Sequence, residues 1–374
     1  MSKKIDDKRL YLTPGEMTKV LVSIIVHNYE NAMEHHRAGS SASDASYIVP
    51  MIWGSPGTGK TRVVWRAGEE ANKILRAKYD SFQDMPVVLD SIADKSPEEI
   101  TGYPRPDSDH TFTRLMPKRW FKHGDRPLIG FLDELAQGNT EQQNVGRGAL
   151  LGQTIGELTF KPGSTVIAAS NLMEDRAGTH VMPTHVRDVL CHLYMRADRA
   201  EWVFWGMENN IAPEICSFIQ VHGDQYLHDL STDSTALSCP SPRSWEKVDS
   251  IFKSNIEDAL KKAMIAGTVG PAAQGAFYTH LMLGKYMPDI DSILAGRSVK
   301  LDESKTDVLY MTMCALAGQV AADSVQHLVK FLQGMKHKEF GSFCVNMALR
   351  KTPTLRSNMS IRRWMMDNEA EMIL

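Results

Sequence analysis

Cysteine is scarce in this chain: five in 374 residues, at Cys191, Cys216, Cys239, Cys314 and Cys344. The number is odd, the positions are scattered and no Cys-x-x-Cys pair occurs, which argues against a disulfide framework or a zinc ribbon. Free, buried thiols in a reducing compartment are the expectation instead. Long apolar runs are missing too. No stretch reaches the roughly 18 uninterrupted apolar residues of a membrane-crossing helix, so no membrane span is expected. An excess of one charge sign is also lacking: 42 Lys and Arg against 45 Asp and Glu leave a net charge of −3, which points to no polyanionic partner. The first residues, Met1-Ser2-Lys3-Lys4-Ile5-Asp6-Asp7, turn acidic where a secretory leader turns apolar. Internal repeats and low-complexity tails do not occur. His35-His36 and the His185/His192 pair lack a carboxylate or cysteine partner at ligand spacing, so they are expected to be surface or capping residues. These features suit a cytoplasmic enzyme long enough to bury a sizeable core in two domains.

What is present is a complete phosphate-binding loop. Residues 54–61 read Gly54-Ser55-Pro56-Gly57-Thr58-Gly59-Lys60-Thr61. An apolar stretch ending at Trp53 precedes them, and a helical pattern with Val63, Val64, Ala67, Ala71 and Leu75 on one face follows. Strand, glycine loop and helix are the context in which backbone N–H groups curl around phosphate oxygens. Lys60 then reaches the β- and γ-phosphates and Thr61 holds Mg²⁺, so ATP and Mg²⁺ are the expected ligands. Downstream, Leu128-Ile129-Gly130-Phe131-Leu132 leads into Asp133-Glu134, a buried strand ending in two carboxylates at the ligand-binding edge of a parallel sheet. Asp133 is the expected Mg²⁺ partner and Glu134 the group that polarises the attacking water. A further strand, Thr165-Val166-Ile167-Ala168-Ala169-Ser170, ends at Asn171, whose amide can orient that water. Pro242-Arg243-Ser244-Trp245 opens an amphipathic helix, and Arg243 is a candidate bidentate donor to the γ-phosphate.

Five strands are expected, at 47–53, 86–90, 127–133, 164–170 and 190–196, alternating with helices after a first helix over 14–36. This pattern predicts a three-layer αβα domain with a five-stranded parallel sheet in residues 1–200. Residues 201–374 are expected to be mostly helical, with helices at 243–265, 270–285, 306–333 and 338–350, Met311, Met313 and Cys314 inside a bundle, and Arg243 on a lid. The segment Lys118-Arg119-Trp120-Phe121-Lys122-His123 mixes basic and aromatic residues and is read as a solvated face rather than a nucleic-acid contact.

The order of phosphate loop, Asp-Glu, Asn and Pro-Arg resembles the AAA+ superfamily, with Asn171 and Arg243 as its sensor 1 and sensor 2. Gly102-Tyr103-Pro104, the segment from Asn171 to His180, the Trp-rich stretch 202–211 and Ser241-Pro242-Arg243-Ser244-Trp245-Glu246 are similar to MoxR-like ATPases, especially the divergent group of bacteria and their phages. The resemblance runs over nearly the whole chain. It implies ATP hydrolysis in a ring, a hexamer, that remodels a protein partner, frequently one with a von Willebrand factor A-like domain. It also implies an arginine finger. In Met182-Pro183-Thr184-His185-Val186-Arg187-Asp188-Val189 this chain has Arg187 at the family's optional first arginine and Val189 at the second, which makes Arg187 the candidate finger. Residues 102–112 are a candidate pore loop with Tyr103 gripping substrate, or a rigid turn packed on the sheet. Two other readings stay open: a nucleic-acid-stimulated motor, and an ATP-gated scaffold with little hydrolysis.

Overall fold

Alternation along the strands decides how the first half of the chain folds. The computed structural model describes residues 9–39, 46–108, 111–115, 118–123, 125–175, 178–230 and 237–369. The acidic N-terminal segment 1–7, most of the small-residue loop 39–43, residues 109–110 of the candidate pore loop and Arg176-Ala177 lie outside them. Contacts divide the chain into two units, Met1–Arg196 and Ala197–Leu374.

In the first unit the strands are β1 (Tyr11–Leu12), β2 (Pro50–Gly54), β3 (Val87–Ser91), β4 (Tyr103–Pro106), β5 (Phe112–Leu115), β6 (Ile129–Asp133), β7 (Thr154–Ile155), β8 (Leu158–Thr159), β9 (Thr165–Ser170) and β10 (Cys191–Met195). Its helices are α1 (Pro14–Arg37), α2 (Lys60–Lys78), α3 (Pro97–Thr101), α4 (Lys118–Phe121), α5 (Thr140–Gly152) and α6 (Thr184–Arg187). Six strands form one parallel sheet in the order β1-β10-β2-β9-β6-β3. All five expected strands are in it. The sixth, β1, pairs with β10 at the edge and is two residues long, too short to show a period-two pattern in sequence.

Successive residues face opposite sides of a strand. Ile52, Ile129, Phe131, Ile167 and Ala169 point to one side, where α1 supplies Met17, Leu21 and Ile25 and α2 supplies Val63, Val64, Ala67, Ala71 and Leu75. Met51, Val88, Leu132, Val166 and Ala168 point to the other, against Ala149 and Leu150 of α5 and Val186 of α6. Every residue of β9 is buried, as a central strand covered on both faces requires. This is a three-layer αβα domain, with the phosphate-loop sequence 54–61 running from β2 into α2. Its first helix starts at Pro14 behind a capping box of Thr13 and Glu16.

The basic and aromatic segment is a solvated face only in part: Lys122 is exposed, but Arg119 and Trp120 turn inward. Trp120 is fully buried and stacks on Phe160, with ring centroids 5.4 Å apart. Its indole N–H donates to the carboxylate of Asp90 over 2.8 Å. Arg119 Nε donates to the same carboxylate at 2.7 Å, and Lys95 is ion-paired with it. Asp90 is only 1% exposed, and a buried carboxylate requires such partners. Tyr103, at the start of the β4–β5 hairpin, is exposed, as are all four residues of β4.

The second unit is helical: α7 (Arg199–Glu208), α8 (Pro213–Tyr226), α9 (Pro242–Lys253), α10 (Asp258–Val269), α11 (Pro271–Met282), α12 (Ile290–Leu294), α13 (Thr306–Gln319), α14 (Val325–Gln333), α15 (Lys338–Lys351) and α16 (Met359–Asp367). Two helices expected to be continuous are broken. The 243–265 segment stops at Ser254, whose hydroxyl bonds back to the Ile251 carbonyl at 2.6 Å and competes with the helical ladder. The 306–333 segment stops at Val320, and the Ser324 hydroxyl accepts from the Ala321 N–H at 3.0 Å to close a turn before α14. Phe218 lies in the core between Trp245 and Phe277, at 5.2 and 5.4 Å. Met311, Met313 and Cys314 are buried on α13. Burial pushes the Cys344 thiol up to about 12. The expectation of buried thiols holds for Cys216, Cys314 and Cys344 but not for Cys191, which is exposed at the start of β10.

Candidate functional site

The loop after β2 is shaped by its glycines. A Cβ on Gly54 would sit 2.9 Å from the Met195 carbonyl oxygen on β10, so only glycine fits at that strand end. Gly57 and Gly59 have φ of +80° and +94°, a left-handed conformation that side chains disfavour. Between them Thr58 closes the turn, its hydroxyl donating to the Ser55 carbonyl at 2.8 Å. The chain then enters α2, a 19-residue helix with no side-chain cap and no acidic residue in its first turn. No acidic residue of the helix itself offsets the positive end of its dipole, which favours an anion there.

Side chains from the ends of β6 and β9 and from beyond β9 converge on this loop. Lys60 Nζ donates to the Asn171 side-chain oxygen at 2.8 Å and to the Gly54 carbonyl at 2.7 Å. Asn171 reaches Lys60 because β9 lies directly beside β2. Thr61 Oγ1 donates to Asp133 Oδ2 at 3.0 Å. Glu134 follows with φ of +59°, uncommon outside glycine, and its N–H donates to Asp133 Oδ1 at 3.0 Å. That bend separates the two carboxylates: Asp133 turns to Thr61 while Glu134 accepts from Ser91 Oγ at 3.2 Å. Ser91 and Asp133 are register partners at the ends of β3 and β6. Ser55 Oγ also donates to Asp175 Oδ1, at 3.2 Å. Ser91 and Asp175 were not singled out in sequence. The only signal for Ser91 is its place directly after the second expected strand, 86–90; it is the last residue of β3.

Lys60, Thr61, Asp133, Glu134 and Asn171 thus share the C-terminal edge of one parallel sheet, where α/β folds bind ligands. The Thr61 hydroxyl and the Asp133 carboxylate are hard oxygen donors, the chemistry that suits Mg²⁺. Arg187 is exposed at the end of α6, while Val189 is half-buried against the α5 side of the sheet. The Arg187 carbonyl accepts from His192 Nε2–H at 3.0 Å, and His192 Nδ1 in turn accepts from the Trp53 indole at 2.9 Å. This ties the end of α6 to β2, the strand that leads into the loop. Arg243 belongs to the second unit, exposed in the first turn of α9 behind the Ser241–Ser244 capping box.

No family model matches the chain, and no curated protein matches it. Among solved structures it is similar to NtrX from Brucella abortus, at 14% identity and a TM-score of 0.35 over 85% of this chain and 67% of that one. It is also similar to PCH-2 from C. elegans, at 12% identity and a TM-score of 0.34 over 72% and 68% of the two chains. Such distant likenesses carry no argument about chemistry, and the functional reading rests on the site's own geometry.

Proposed function

We propose that the chain is an Mg²⁺-dependent ATPase of the AAA+ superfamily, of the MoxR-like branch, that works as a ring, a hexamer, to remodel a protein partner. The observation that carries the ATPase reading is the meeting of Lys60, Asn171, Thr61 and Asp133 through two hydrogen bonds of 2.8 and 3.0 Å, with Glu134 beside them. The loop N–H groups and Lys60 bind the phosphates of ATP, Lys60 exchanging its carbonyl and Asn171 partners for phosphate oxygens. Thr61 and Asp133 would hold Mg²⁺, whose charge neutralises the phosphate oxygens. Glu134, kept in place by Ser91, takes a proton from water as the water oxygen bonds to the γ-phosphorus. The bond from that phosphorus to the β,γ-bridging oxygen breaks, and ADP and phosphate leave. Asn171 orients the water, and Arg243 and Arg187 serve as donors to the γ-phosphate. Positioning and electrostatics supply the rate.

The ring, the MoxR-like branch and a partner with a von Willebrand factor A-like domain rest on the sequence resemblance. A second reading, an ATP-gated scaffold, is favoured by one observation: Val189, at the family's usual finger position, is half-buried against the core and brings no charge. The nucleic-acid motor is weakened, because Trp120 and Arg119 are spent on Asp90. Mass photometry with and without a slowly hydrolysed ATP analogue tests the assembly. ATP-dependent rings are expected, and a monomer at micromolar concentration in both conditions would refute them.

A further inference from the structure

Three helices of the second unit bring together a set of side chains that the ATPase site does not use. His222 on α8, His280 on α11 and Asp307 in the first turn of α13 each offer a ligand atom, and these atoms lie within 4.8 Å of one another. His222 Nε2 and Asp307 Oδ2 are 3.8 Å apart. His280 is 1% exposed. Its hydrogen bonds fix which nitrogen is basic. The Ser217 hydroxyl donates to the Glu214 carbonyl at 2.9 Å, so it accepts from His280 Nε2–H, also at 2.9 Å. Nδ1 therefore carries the lone pair, and among the described residues this buried nitrogen has no hydrogen-bond partner. A buried acceptor left without a donor is costly.

We propose that His222, His280 and Asp307 bind a first-row transition-metal dication, with Zn²⁺ the best fit. Two neutral imidazoles and one carboxylate are a zinc donor set, whereas Mg²⁺ prefers oxygen alone. The Ser217 contact is the outer hydrogen bond that orients a metal-ligating histidine. Tetrahedral zinc, with Zn–N of about 2.0–2.1 Å, places its ligand atoms about 3.4 Å apart. The His222–Asp307 pair is near that spacing, and the longer separations close by rotation of two side chains that are 36% and 30% exposed. Their exposure leaves the fourth position to water. The bound ion clips α8, α11 and α13 together and stabilises the second unit.

The test is calorimetric titration of the chelator-treated full chain with Zn²⁺ alone, with thermal unfolding alongside. One tightly bound Zn²⁺ per chain is expected for the wild type and for Lys60→Ala, with a higher unfolding midpoint. His222→Ala and Asp307→Asn, both at partly exposed positions, should fold, lose that equivalent and lose the zinc-dependent rise. His185→Ala should lose neither. A wild type that takes up no Zn²⁺ at micromolar concentration would overturn the proposal, as would retention of the tight equivalent by both His222→Ala and Asp307→Asn.

Discussion

Removal of the Ser91 hydroxyl probes a contact that no motif marks. Ser91 Oγ donates to Glu134 Oε2 over 3.2 Å. A hydrogen bond to a charged group contributes about 1.5–3 kcal/mol. This one is long and its acceptor is half-exposed, which puts it below that range, at about 1 kcal/mol. Glu134 is also held by its own backbone, with φ of +59° and an N–H on Asp133, so Ser91→Ala loosens the carboxylate without releasing it. At 1.36 kcal/mol per tenfold in rate, about 1 kcal/mol is about fivefold. The expected result is a kcat about fivefold lower with KM for ATP unchanged, because the Ser91 hydroxyl bonds to Glu134 and not to the loop. Steady-state phosphate release over a range of ATP concentrations reads both constants. Ser91→Thr keeps the hydroxyl and should recover most of the rate. A Ser91→Ala enzyme with wild-type kcat, or one whose loss lies all in KM, would refute Ser91 as the positioning residue for Glu134.

Two other substitutions separate structure from chemistry. Asp90→Ala strands Arg119 and the Trp120 indole beside a buried site and should cost about 3–5 kcal/mol of stability by chemical denaturation; an unchanged midpoint would mean the cluster is solvated after all. Arg187→Ala should lower hydrolysis more than tenfold, against the roughly 10³–10⁵ that a full arginine finger supplies, while ATP affinity and ring size stay the same. Wild-type turnover by Arg187→Ala would move the finger elsewhere, and a sharp gain in Val189→Arg would favour the scaffold reading.

The phosphate-loop motif and Asp133-Glu134 were legible in sequence because such motifs depend on spacing within a few residues, and the apolar strand and helix around them show the right periods. Asn171 was legible as a strand end, and its contact with Lys60 follows once β9 lies beside β2. Contacts made only by folding were not legible. Ser91 meets Glu134 through sheet register. Asp90 recruits Arg119 and Trp120 from a segment whose composition looked like surface. The His222, His280 and Asp307 set is spread over three helices with no ligand spacing to betray it. The breaks at Ser254 and Val320 were missed because apolar periodicity continues on both sides of them.

The central claim, that this sheet edge hydrolyses ATP through a carboxylate at Glu134, is tested most directly by single-turnover hydrolysis and ATP-analogue binding in Glu134→Gln. The amide is isosteric and cannot accept the proton from water. The account predicts ATP affinity equal to wild type and hydrolysis slower by about 10²–10⁴, the range for loss of a positioned base. A Glu134→Gln protein that keeps half the wild-type rate would contradict it.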